Sequence, residues 1–134
     1  MMKTLTVKSS SREEFIDITD EVENTVKASG IKNGVCYLYV PHTTAGITIN
    51  EGADPSVRKD IINILKKIAP YGAGYLHIEG NADSHIKTTI VGSSISVFIE
   101  GGNLILGQWQ SIFFCEFDGP RTRKVFLKII KEEE

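Results

Sequence analysis

The chain has 134 residues, with 15 basic and 17 acidic side chains and a formal net charge of -2. A chain of that length fits one domain, residues 1–134, able to bury roughly two thirds of its unfolded surface. Its basic residues form no block longer than short runs such as Lys66-Lys67, which argues against nucleic acid as the main partner. No run of about eighteen apolar residues occurs and no apolar stretch follows the early lysine, so the expectation is a soluble, cytoplasmic protein without a membrane partner.

Residues 2–10 alternate Leu5 and Val7 with polar partners and predict a first strand, and residues 14–18 a short second one. Thr19 or Asp20 can cap a helix carrying Val22, Val26 and Ala28, which Ser29-Gly30 ends. After the Asn33-Gly34 turn signal, residues 35–40 are almost continuously apolar and aromatic. That pattern predicts a central strand covered on both faces.

Residues 41–58, PHTTAGITINEGADPSVR, crowd hydrogen-bonding groups around one short apolar run. Within it, residues 46–50 alternate with period two, so Ile47 and Ile49 face one way and Thr48 and Asn50 the other. Asp54-Pro55 is a helix start, because the carboxylate accepts an orphan N–H and proline fits the first turn. The helix that follows carries a stripe of Val57, Ile61, Ile64, Leu65 and Ile68 and ends near Pro70, Gly72 and Gly74. Its free N-terminal amides suit an anion, although an aspartate cap opposes one.

Residues 75–78 have the composition of a short strand, 80–84 form a polar loop, and 85–91 read as a short helix or turn weakened by β-branched residues. Residues 94–100 and 104–109, joined by Gly101-Gly102-Asn103, predict a hairpin, and strands follow at 110–117 and 123–131. With about eight strands and two or three helices, the pattern is α+β with a mixed or antiparallel sheet.

His42, His77 and His85 all lie beside polar turn residues. Three neutral imidazoles can make an open three-nitrogen site for a divalent metal, zinc or magnesium, or act as acid and base. Their spacing is not that of a helical zinc motif, so scattered surface histidines are the plain alternative. The carboxylates Glu51, Asp54, Glu79, Asp83 and Glu116 can orient histidines or serve as bases. Glu116 lies in the apolar run FFCEF and needs a partner, which Arg58, Arg121 or Arg123 can supply. Arg58, Arg121, Arg123, Lys87 and the glycine-rich turns suit a phosphate, yet there is no P-loop and no dinucleotide fingerprint. Trp109 reads as core and Gln110 as a pocket wall, and Cys36 and Cys115 as buried, reduced thiols.

The pieces PHTTAGITINEGADPSVRKDI, HIEGNADSHIKTTIVGSSISV and NLILGQWQSIFFCEFDGPRTRKV, in this order, resemble the YjbQ family, which is described as having secondary thiamine-phosphate synthase activity. The resemblance spans nearly the whole chain and implies a compact α+β domain assembled as a homotrimer. It implies a small phosphate-bearing substrate, with His42, Glu51, Asp54, His77 and His85 in catalytic or metal-holding roles. Thr43, Asn50, Arg58, Lys87, Gln110 and Glu116 match the family's polar positions and are implied as substrate contacts; Asp83 and Trp109 also match family positions. The loop NADS before His85 is shorter than in many members, and Gln108 replaces the threonine of their G-T-W-Q motif. The reaction implied joins a pyrimidine pyrophosphate to a thiazole phosphate. The alternative is a non-catalytic trimer that binds a small molecule or a metal.

Overall fold

The computed structural model describes residues 2–133. In chain order the elements are β1 (Met2–Lys8), β2 (Glu14–Asp17), α1 (Thr19–Ser29), β3 (Gly34–Tyr39), β4 (Ala45–Glu51), α2 (Pro55–Ile68), α3 (Ala82–Val91), β5 (Ser94–Glu100), β6 (Asn103–Leu104), β7 (Gln110–Glu116) and β8 (Thr122–Lys131). The α+β architecture is as the sequence predicts, with the eight strands divided between two sheets. One sheet has the order β1-β8-β3-β5-β6 and the other β2-β7-β4. Every pairing among the described residues is antiparallel.

The two sheets stack face to face. Ile47, Ile112 and Phe114 from the smaller sheet meet Leu38, Val97, Val125 and Leu127 from the larger, and Val22 and Val26 of α1 complete this core. The opposite face of the smaller sheet carries Phe15, Phe113, Cys115 and Phe117, covered by Leu65, Ile61 and Ile62 of α2 and Val91 of α3. The period-two alternation of β7 thus feeds two cores, and its inner residues from Ile112 to Glu116 are all buried. Burying each such phenylalanine stabilises by about 1.5–3 kcal/mol.

Asp54 caps α2 as predicted, its carboxylate accepting from the Ser56 N–H with Pro55 in the first turn. At α1 the cap differs. Ile18 occupies the N-cap, and the Asp17 carboxylate accepts the Thr19 N–H and hydroxyl at 2.9 and 2.6 Å, so Thr19 is the first helical residue and not the cap.

Three further expectations are corrected. β3 is covered on one face only: Cys36 and Leu38 are buried while Tyr37 and Tyr39 remain half exposed. Residues 75–78 form no strand, because no sheet edge runs alongside them, and Leu76 and Ile78 stand almost fully exposed at 100% and 97%. The strand expected over 104–109 stops at Leu104, since the chain leaves the sheet to form a tight turn over Gly107–Gln110.

Both cysteines are free and buried. Burial pushes the Cys36 thiol up to about 11 and Cys115 well above its usual value, so neither is ready to act as a thiolate.

Candidate functional site

The predicted site residues fall into three neighbourhoods. The first lies at the N-terminal end of β4. Glu116, fully buried in β7, is gripped by the Arg123 guanidinium through Nε at 2.9 Å and through Nη2. Its carboxylate also accepts from the Ser9 hydroxyl at 2.7 Å and the Asp118 N–H at 3.0 Å. Burial alone pushes this carboxyl up, but the hydrogen bonds outweigh it and hold it below its ordinary value. Arg123 also donates to the Thr44 hydroxyl at 2.8 Å, which fixes the loop carrying His42 and the exposed Thr43. His42 Nε2 accepts the backbone N–H of Lys124 at 2.9 Å. Accepting there places the imidazole proton on Nδ1. Burial and the nearby Arg123 hold His42 below the usual histidine range.

The second neighbourhood is the β4–α2 turn. Asn50 accepts from the Glu51 N–H, the Glu51 carboxylate from the Ala53 and Asp54 N–H groups, and Asp54 from Ser56. Hydrogen bonds from Ser56 hold the Asp54 carboxyl below its ordinary value. The Ser111 hydroxyl occupies the space a Cβ at residue 52 would need, so only Gly52 lets this turn settle on β7. Gly52 then donates to the Trp109 carbonyl at 2.8 Å, and Gln110, opposite Glu51 in register, accepts the Gly107 N–H at 2.7 Å. The NEGADP and GQWQ motifs are thus one assembly. Trp109 itself is 58% exposed and not core.

The third neighbourhood surrounds α3. Lys87 is fully buried, its ammonium 2.8 Å from Asp83 and 2.7 Å from Glu13. Asp83 receives a two-pronged grip from Arg12 at 3.0 Å through each terminal nitrogen. Burial pushes Asp83 up, but Arg12 and Lys87 prevail and hold it below its ordinary value. On the exposed side of this helix, His85 meets His77 edge to face with ring centroids 5.1 Å apart, and Glu79 lies 3.8 Å from His77 Nε2. Sequence reasoning missed Ser9, Arg12 and Glu13. The one local signal of the α3 network is the Asp83–Lys87 spacing of four on a helix, whereas Arg12 and Glu13 lie more than seventy residues from their partners and Ser9, in the Glu116 cluster, lies 107 residues from its own.

Two of the three histidines therefore come together and the third does not. Among the described residues no three His, Cys, Asp or Glu side chains are grouped to hold a metal ion. Within one chain the residues do not fit a three-histidine centre.

Arg58 stands apart from all of this. Arg12, Arg121 and Arg123 each pair with a carboxylate. Among the described residues Arg58 has no such pair; its guanidinium lies 5.0 Å over the Phe113 ring, and its buried Nε has no hydrogen-bond partner.

A family model described as UPF0047 protein YjbQ-like matches residues 3–132. The chain belongs to the YjbQ-like UPF0047 family. It is 50% identical over 131 residues to the UPF0047 protein YugU of Bacillus subtilis, covering 97% of this chain and 99% of that one. A UPF0047 protein of Methanocaldococcus jannaschii is likewise 50% identical over 127 residues, covering 95% and 92%. A crystal structure of a YjbQ/UPF0047 protein from Clostridium acetobutylicum superimposes with a TM-score of 0.93 at 52% identity over 96% and 99% of the two chains. The crystal structure of a hypothetical protein from Aeropyrum pernix gives 0.94 at 38% identity over 98% and 99%. Among the described residues of this YjbQ-like chain no helix is long and apolar enough to cross a membrane.

Proposed function

We propose that the protein is an enzyme of small phosphate-bearing substrates, with secondary thiamine-phosphate synthase activity as the reaction to test. The observation that carries this reading is Arg58. A guanidinium with no carboxylate partner among the described residues and an orphan buried nitrogen is suited to a phosphate, since its planar fork matches two phosphate oxygens. Joining the two rings requires pyrophosphate to leave from a carbocation-like centre, and a fixed cation beside the leaving oxygens stabilises that charge as it develops. His77 and His85 are the acid–base pair in this account. Glu51 and Asp54 act by shaping the turn, not by direct contact. Thr43, Asn50 and Gln110 are open to a ligand, whereas Lys87 and Glu116 are shut inside the single chain.

The same reading places the site between copies in a homotrimer. Two unlike apolar surfaces support it: the open sheet face with Tyr37, Tyr39, Phe98 and Ile130, and the α2–loop surface with Ile64, Ile68, Leu76 and Ile78. Unlike surfaces that join head to tail generate a ring when the rotation between copies closes, and a trimer is the closure this reading takes. The loop of His77 would then meet a neighbouring subunit. A divalent ion, zinc or magnesium, belongs to this reading only with a ligand added by that neighbour.

The test is product formation from the two ring substrates by wild type, Arg58→Ala and His85→Ala at matched purity. A loss of about a hundredfold in each variant is expected, and unchanged turnover would sink the proposal. A second reading, binding without turnover, draws on the carboxylates: Glu51, Asp54 and Glu116 all spend their oxygens on internal hydrogen bonds. Saturable binding with no product over long incubation would favour it.

A further inference from the structure

We infer that Trp109 is a ligand-contacting residue whose indole stacks on a planar heteroaromatic ring of the phosphate-bearing substrate. The inference rests on the phosphate reading above and adds to it the platform that recognises the ring.

The turn that presents Trp109 is held from several sides. The Gln110 side chain accepts the Gly107 N–H at 2.7 Å and the Gln110 N–H donates to the Gly107 carbonyl at 3.1 Å, so the four residues are closed twice over. The Trp109 carbonyl is tied to Gly52 of the neighbouring turn. A backbone this constrained fixes the point from which the side chain projects, and Trp109 remains 58% exposed there. A large flat ring with only two rotatable side-chain bonds, carried on a rigid turn, has little entropy left to lose on binding, which is what a stacking platform requires.

Its surroundings point to the ligand. Direct cross-strand partners share a face, and β4 and β7 pair Asn50 with Ser111 and Thr48 with Phe113. Arg58 lies over that same Phe113. Four residues along the chain separate Phe113 from Trp109, a span of roughly 13 Å at most if extended. Between an aromatic platform and a guanidinium without a carboxylate partner, then, this face carries the exposed Asn50 amide and the half-buried Thr48 hydroxyl. That order matches a molecule with an aromatic ring at one end, polar substituents, and a phosphate at the other. An indole buried against a second copy is the competing use, and the test separates the two.

The protein contains one tryptophan, so its fluorescence reports on Trp109 alone. Titration with an aminopyrimidine methyl phosphate should quench the emission saturably and bind about tenfold more tightly than glycerol phosphate. In Trp109→Ala, followed by calorimetry, affinity for the aromatic ester should fall about tenfold while that for glycerol phosphate stays unchanged, and Trp109→Phe should recover most of it. Equal affinity for both phosphates, unchanged by Trp109→Ala, would overturn the stacking role and leave the phosphate reading standing. Binding of the free aminopyrimidine with the same Trp109 dependence and no preference for phosphate would uphold stacking and overturn the phosphate reading. Dissociation of the assembly in Trp109→Ala, seen by light scattering, would assign the indole to a contact between copies and overturn the inference.

Discussion

His42 accepts the Lys124 N–H through Nε2 at 2.9 Å. β3 ends at Tyr39, which pairs with Phe126, so the next outward N–H on that side of β8 lies beyond the reach of the strand. The imidazole satisfies it and joins the end of β3 to the Glu116–Arg123 pair below. Protonated His42 can no longer accept there, and it would sit beside Arg123.

This gives a pH signature. A histidine held below its ordinary value binds fewer protons in the folded than in the unfolded state, so stability rises with pH across the window between the two values. The contribution of neutral His42 is fully present above about 6.5 and declines as pH falls below it. Urea titrations at stepped pH should show that decline in wild type and a flatter profile in His42→Ala. At neutral pH the variant should lose about 1 kcal/mol for the orphaned N–H.

Arg123→Ala leaves the Glu116 carboxylate buried without its main partner and should cost about 3–5 kcal/mol. Since Glu116 is held below the usual carboxylate range, the stability it gives is present above about 4.5 and lost as pH falls through its folded value. Glu116→Gln should therefore flatten the acid limb of the stability curve, which acid titration monitored by circular dichroism would read.

Lys87→Met strands Asp83 and Glu13 in the same way. The expected loss is again about 3–5 kcal/mol. Arg12→Ala should cost less, because Lys87 still holds Asp83 and Arg12 is partly exposed. Thermal unfolding of the two single variants and the double variant measures the coupling, and strict additivity would contradict a shared network.

Ile78→Asp and Phe98→Asp each place a charge on one of the two apolar surfaces. Light scattering should find wild type at three times the chain mass and both variants smaller, with the chain itself still folded. Monomeric wild type would remove the ring from the account.

Much of the fold was legible because the relevant signals are local. Asp54-Pro55 caps α2, and the alternation at Ile47, Ile49, Ile112 and Phe114 sets which face each strand buries. The helical stripe of α2 misled in part, since Ile64 and Ile68 stay exposed while Ile62 packs inward. The aromatic run of β3 misled for a related reason: its pattern records a face that the single chain leaves open. At the site, the need of Glu116 for an arginine followed from its apolar neighbours, but the choice of Arg123 is a matter of sheet register. His77 and His85 meet through a loop whose course no periodicity encodes. Trp109 reads as core from its type alone; only the hydrogen bonds of its turn reveal why it stays outside.

The most direct test of the phosphate reading is calorimetric titration of inorganic pyrophosphate into wild type and Arg58→Ala, with and without magnesium. The account predicts saturable binding by wild type, weakened at least about tenfold in the variant, whose melting temperature should fall only by the loss of the Phe113 contact, since among the described residues Arg58 pairs with no carboxylate. Equal affinity in the two proteins, or no binding at millimolar pyrophosphate, would contradict it.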